Sequence, residues 1–207
     1  MGFLNSKIKN IIFDWGGVLI DVTLDRFLAE CKAAGICFED KEITGTHKTG
    51  FFLEYELGNI SDDDARNELR RRAGKDISDA EIDRIWNTMI DSIPEEKLEL
   101  LYRLKDKYNL YILSNTNAIH WDNVAPKVFR YKGLGINDFF KKVFLSHEMH
   151  LAKPDTAIYQ KALSEAGIKV EETMFIDDSK LNCDAAQSVG IDAVHYIPGD
   201  DLSLIFK

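Results

Sequence analysis

Cysteine, surplus positive charge, long apolar runs and internal repeats are all scarce in this sequence, and each scarcity removes a class of protein. Three cysteines, Cys31, Cys37 and Cys183, are an odd number with no metal-type spacing. They exclude a disulfide framework and a cysteine-ligated zinc site, and fit reduced thiols in a cytoplasmic protein. Lys and Arg number 26 against 35 Asp and Glu, a net charge of -9, which argues against general affinity for nucleic acid or an anionic membrane. A small phosphate ester remains admissible, because a local cation reverses the field inside one cleft. No apolar run approaches membrane-spanning length and no secretory leader pattern opens the chain. No repeat or low-complexity linker interrupts it.

What is present is the composition of a globular protein. Hydrophobic residues make up 45% and charged residues 29% of 207, enough for one sizeable domain or a core with a smaller insertion. Ile11-Ile12-Phe13 is an apolar β-type run halted by Asp14 and then Gly16-Gly17, the mark of a buried strand entering a tight turn. Residues 110–113, 143–145, 174–176 and 193–197 have the same character. Continuous rather than alternating apolarity predicts strands covered on both faces of a parallel sheet. Helical patterns alternate with them. One is opened by Pro94-Glu95-Glu96, one starts at Pro154 at the first helical position, and one runs through Asp184, Ala185, Ala186 and Val189 to a Gly190 cap.

This alternation predicts an α/β fold, a doubly wound (Rossmann-like) parallel sheet. Residues 22–93 break the rhythm. They contain no convincing strand, and Ser61 with Asp64 and Ser78 with Glu81 read as capping boxes of two helices. The organisation expected is a core of residues 1–21 and 94–207 with a helical cap, 22–93, over the crevice at the strand ends.

Ligands of parallel α/β sheets sit at the carboxyl ends of the strands, and there the sequence places Asp14, then Ser114-Asn115, then Lys153-Pro154, then Asp177-Asp178. Each has a dull explanation alone: strand-terminal Asp caps helices, Lys-Pro turns, paired Asp is solvated. Their order and their common placement at strand ends point instead to phosphoryl transfer. Converging carboxylates need a hard cation, and oxygen ligands suit magnesium. One carboxylate then serves as nucleophile, Ser114 donates to a phosphoryl oxygen, and Lys153 opposes developing charge.

In these residues the chain resembles the haloacid dehalogenase superfamily, in its phosphatase branch with a helical cap inserted after the first motif. The matching stretches are Phe13-Asp14-Trp15-Gly16-Gly17-Val18-Leu19, Leu113-Ser114-Asn115, Lys153-Pro154 and Phe175-Ile176-Asp177-Asp178. The resemblance implies that Asp14 is nucleophile and metal ligand. The Gly16 backbone carbonyl, Asp177 and Asp178 would complete a Mg2+ site, one of that pair acting through water. It implies phosphate binding by Ser114 and Lys153, with Trp15, Gly16 and Asn115 around them, and Asn182 steadying the acidic pair. The expected partner is a small-molecule phosphate ester.

One departure matters. The family's first motif carries a second aspartate two residues after the nucleophile, an acid and base for the alcohol and the water, and here that residue is Gly16. Such groups contribute about 10²–10⁴ in rate. A metal-independent dehalogenase also lacks it but would not need Asp177-Asp178. A silent phosphate-binding protein would have no need of three clustered carboxylates. A phosphatase subgroup acting on sugar phosphates such as α-glucose 1-phosphate is similar in Asp14-Trp15-Gly16, Ser114-Asn115-Thr116-Asn117 and Glu56-Leu57-Gly58-Asn59-Ile60-Ser61. An anomeric leaving group is acidic enough to need less protonation. His120, titrating near neutrality, is the preferred substitute acid, with Glu56, Tyr55 and His47 of the cap as further leaving-group contacts.

Overall fold

The computed structural model describes residues 6–38, 43–44 and 47–207; for 43–44 and 47–48 only the backbone is described. In chain order the elements are β1 (Asn10–Phe13), α1 (Leu24–Ala33), β2 (Ile43–Thr44), β3 (His47–Lys48), α2 (Phe51–Glu56), α3 (Asp62–Ala73), α4 (Asp79–Asn87), α5 (Glu95–Leu104), β4 (Asn109–Ser114), α6 (Ala118–Val128), α7 (Ile136–Phe139), β5 (Lys142–Leu145), α8 (Ser146–Met149), α9 (Thr156–Ala166), β6 (Thr173–Asp177), α10 (Lys180–Ser188) and β7 (Asp192–His195).

Five strands form one parallel sheet in the order β5-β4-β1-β6-β7. The central strand shows why the apolar runs are continuous. Ile11 and Phe13 enter the apolar cluster on one face, while Ile12 enters that on the other. Leu110 and Ile112 against Tyr111 and Leu113, and Met174 and Ile176 against Phe175, divide in the same way. Each such side chain contributes roughly 1.5–3 kcal/mol by burial, so neither face can be left to solvent. The order reverses beside β1, whose neighbours are β4 and β6, and this creates the crevice at their carboxyl ends.

Helices α1–α4 gather a separate apolar cluster around Phe27, Phe52, Ile82, Ile85 and Trp86, to which the core contributes Ile119. Ser61 and Asp64 form a reciprocal capping box, and the Ser78 hydroxyl accepts from the Glu81 N–H. Three local expectations are corrected. A two-residue antiparallel ladder, β2–β3, lies within the otherwise helical stretch. Pro94 is the N-cap of α5 rather than part of its first turn. Pro154, joined to Lys153 by a cis peptide, precedes α9, which is capped by the Asp155 side chain on the Ala157 N–H. The last strand ends at His195, short of Ile197, which is half exposed.

Candidate active site

The three central strands end together, and a polar residue closes or directly follows each. Asp14 follows β1 and stays tied to the sheet through its N–H, which donates to the Ile176 carbonyl at 2.8 Å. Ser114 closes β4 and Asp177 closes β6. Lys153 comes from the segment between α8 and α9 and is held by a two-point clamp. The Asn115 amide donates to the Lys153 carbonyl at 2.9 Å, and its oxygen accepts the Lys153 N–H at 2.9 Å. The buried ammonium then donates to the Leu113 carbonyl at 3.0 Å and to Asp177 Oδ2 at 2.7 Å, and pairs with Asp14 Oδ2 at 2.9 Å.

Carboxylate oxygens of Asp14, Asp177 and Asp178 lie within 4.8 Å of one another. One ammonium against three carboxylates leaves excess negative charge in a place shielded from water. Burial accordingly pushes the Asp14 carboxyl up to about 7, with Lys153 opposing the rise and Asp177 adding to it. Asp178 is raised by burial and by Asp177. Burial pulls the Lys153 ammonium down, but Asp14 and Asp177 outweigh it and hold it above the ordinary lysine range. Oxygen donors with surplus negative charge fit a hard divalent cation such as magnesium. Asp14 and Asp178 face the cleft beside Gly16. Asp177 is wholly buried, and its oxygens already accept from Ser179 N–H (2.8 Å), Asn182 Nδ2 (2.9 Å) and Lys153. Gly17, at φ +73°, lies so close to the Asp178 carboxylate that a Cβ would collide with it, so the turn after β1 packs directly on this acid.

These groups line a cleft of about 490 Å³. From the strand-end segments it is lined by Asp14, Ser114, Lys153, Asp178 and Asn182, and from elsewhere by Asp21, Val22, Leu24, Glu56, Met89 and Pro198. Glu56 is buried and ends α2. Nothing in the sequence pattern singles out Met89 or Pro198, which arrive from segments far from every motif. Asp21 and Val22 directly follow the first motif, and their nearness to Gly16 was the available signal.

Other expected residues lie elsewhere. The Trp15 indole is buried edge-on against Trp121, with ring centroids 5.0 Å apart; what reaches the site is the backbone N–H of Trp15, which donates to Asp14 Oδ1 at 2.7 Å. The Asn115 side chain holds Lys153 rather than reaching for a phosphate. His120 is not brought to the cleft. Its Nε2 faces the Trp86 carbonyl at 3.0 Å and its Nδ1 faces Asn117 Nδ2 at 3.3 Å. Asn117 Oδ1 also accepts from Trp86 Nε1 at 3.2 Å, so this imidazole joins α4 to the start of α6. The Tyr55 hydroxyl donates to Asp62 at 2.7 Å, away from the cleft. The His47 side chain lies outside the described residues.

Known proteins resemble this chain over nearly its whole length. A profile of haloacid dehalogenase-like hydrolases matches residues 8–190. A D-ribitol-5-phosphate phosphatase of Bacteroides thetaiotaomicron is 29% identical over 94% of each chain. A haloacid dehalogenase family enzyme of the same organism, solved with magnesium and inorganic phosphate, is 40% identical, with a TM-score of 0.91 over 97% of this chain and 100% of its own. A hydrolase of the same type from Porphyromonas gingivalis is 31% identical, with a TM-score of 0.86 over 95% of this chain and 94% of its own. With a family profile spanning most of its length and solved relatives above 30% identity throughout, the chain belongs to the haloacid dehalogenase-like hydrolases.

Proposed function

We propose that this chain is a magnesium-dependent phosphatase of small phosphate monoesters, sugar or polyol phosphates in particular, working through an aspartyl phosphate on Asp14. The observation that carries this reading is the meeting of Asp14, Asp177 and Asp178 around one pinned lysine at the ends of adjacent parallel strands. The ribitol-phosphate phosphatase and the relative solved with magnesium and phosphate support it. In this reading residues 22–93 are a cap over a core of 1–21 and 94–207.

Asp14, Asp178 and the Gly16 carbonyl would hold the metal, which when bound neutralises charge on the phosphoryl oxygens. Ser114 and Lys153 bind those oxygens. Asp177 and Asn115 act through Lys153, one on its ammonium and one on its backbone. Trp15 N–H and Lys153 fix the two oxygens of Asp14, orienting the carboxylate for in-line attack on phosphorus. Water then cleaves the aspartyl phosphate. An anomeric phosphate suits Gly16 because its alcohol leaves without much help, whereas ribitol 5-phosphate is the ester of an ordinary primary alcohol and needs a proton donor.

The test is phosphate release from sugar 1-phosphates, polyol phosphates and an aryl phosphate, with and without magnesium, in the wild type and Asp14→Asn. Turnover requiring both metal and Asp14 is expected. Absence of turnover above the Asp14→Asn background on every ester would leave a phosphate-binding protein.

A further inference from the structure

Among the described residues, the cleft has no positive charge to spare. In the reading above a divalent cation and Lys153 together balance Asp14, Asp177 and Asp178, and the phosphoryl group brings negative charge of its own. Lys153 is the one ammonium or guanidinium among the described lining residues, and it is pinned between Asp14 and Asp177. The lining from outside the motifs is apolar or acidic. Val22, Leu24, Met89 and Pro198 are apolar and Asp21 is acidic. Glu56 also lines the cleft, buried and engaged in an interaction of its own.

Asp21 is open to water, with its side chain 62% exposed, yet its backbone is fixed. Its carbonyl accepts the Asp91 N–H at 3.1 Å, Val22 and Ile90 form an antiparallel bridge, and the Thr23 N–H donates to the Met89 carbonyl at 2.7 Å. Val22 Cγ2 would stand 3.1 Å from a Cβ built on Gly16, so this ladder is packed against the turn after β1. The buried Lys97 ammonium of α5 pairs with Asp21 at 3.9 Å, too far for a hydrogen bond, and lies 5.5 Å from the Tyr196 ring centroid. Burial pulls that ammonium below the ordinary lysine range, with Asp21 opposing. A loose pair with one solvent-open partner leaves much of the Asp21 field in the cleft.

A carboxylate so placed treats alcohols unequally. It accepts hydrogen bonds from hydroxyl groups and repels a second anion. We propose that Asp21 is a specificity-determining residue, restricting the enzyme to esters of uncharged alcohols such as polyols and neutral sugars. It turns away esters whose leaving group carries a carboxylate. The proposal rests on the phosphatase reading and narrows its substrate class.

Two matched pairs of esters test it, glycerol 3-phosphate against 3-phosphoglycerate and sorbitol 6-phosphate against 6-phosphogluconate. Within each pair a carboxylate replaces a terminal CH2OH. Ratios of kcat/KM, polyol over acid, are measured at saturating magnesium. The wild type favours the polyol, and the ratio shrinks when salt is raised to about 0.5 M, because screening weakens the repulsion. Asp21→Asn lowers the ratio by about 5–10-fold, the effect of one charge felt across a wet cleft. Lys97→Met removes the charge that partly balances Asp21 and raises the ratio, a change of opposite sign that general loosening of the fold would not give. A wild type that hydrolyses the acids as well as the polyols, or a ratio unmoved by Asp21→Asn, overturns the assignment and leaves the phosphatase reading standing. A wild type inactive on every ester removes both.

Discussion

Replacing Asp14 should make the metal-free protein more stable. At high pH Asp14 is an ionised carboxylate in a buried place shared with Asp177 and Asp178, with one ammonium among the three. Its carboxyl rises from an ordinary 3.8 to about 7. At 1.36 kcal/mol per pH unit this amounts to about 4 kcal/mol. The sign follows from proton binding. The folded state keeps the Asp14 proton to higher pH than the unfolded state, so folding stability declines as pH rises from about 4 to about 7 and stays low above. Asn is nearly isosteric and never ionises. The rise is already net of the pull of Lys153, but the amide replaces the carboxyl's hydrogen bonds only in part, a loss of about 2 kcal/mol, leaving about 2 kcal/mol. For a chain of this length that is about 4–8 °C in Tm. The assay is thermal unfolding in EDTA at pH 8 and at pH 4. Asp14→Asn should melt higher at pH 8, and the advantage should vanish at pH 4. A variant that melts at or below wild type at pH 8 would refute the electrostatic reasoning.

Three further outcomes are expected. Gly16→Asp should lower stability by about 1–3 kcal/mol through overpacking on Val22, and Val22→Ala in the same chain should recover much of that loss in denaturant titration. Asn115→Ala removes two hydrogen bonds from the Lys153 backbone; it should cost about 1–3 kcal/mol and lower kcat for every ester, because the lysine is no longer pinned. Glu68, pulled down to about 2 chiefly by the Arg71 guanidinium and then by Arg72, contributes stability that is full above about pH 4.5 and lost as pH falls toward 2. Glu68→Gln should therefore cost about 1 kcal/mol at pH 7, the magnitude of a surface pair, and nothing near pH 2, measured by urea unfolding across pH.

The sheet was legible because each strand is a local signal. Ile11-Ile12-Phe13 must be covered on both faces wherever it lies, and Asp14 and the glycines after it end the run. The same holds for residues 110–113 and 174–176, which divide between the two apolar clusters residue by residue. Asp14, Ser114, Lys153 and Asp177-Asp178 could be picked out because the carboxyl end of a parallel strand is a place that topology alone defines.

What the sequence could not decide is where a side chain points once distant segments have packed. Trp15 adjoins Asp14 yet its ring packs inward on Trp121, because an indole gains more there than in a polar cleft. His120 follows the second motif yet is spent joining α6 to Trp86 of the insert. Asn115 faces Lys153 only because α8 returns that segment to β4. Glu56 was one acid among several between residues 22 and 93. Its place in the lining of the cleft exists only when Leu57 and Gly58 dock on α8, a contact between residues about ninety apart in the chain. Strand burial and strand-end chemistry depend on a few consecutive residues, so the sequence determined them. The contribution of Glu56, Met89 and Pro198 to the cleft depends on which surfaces of distant segments fit together, and only the tertiary structure decided that.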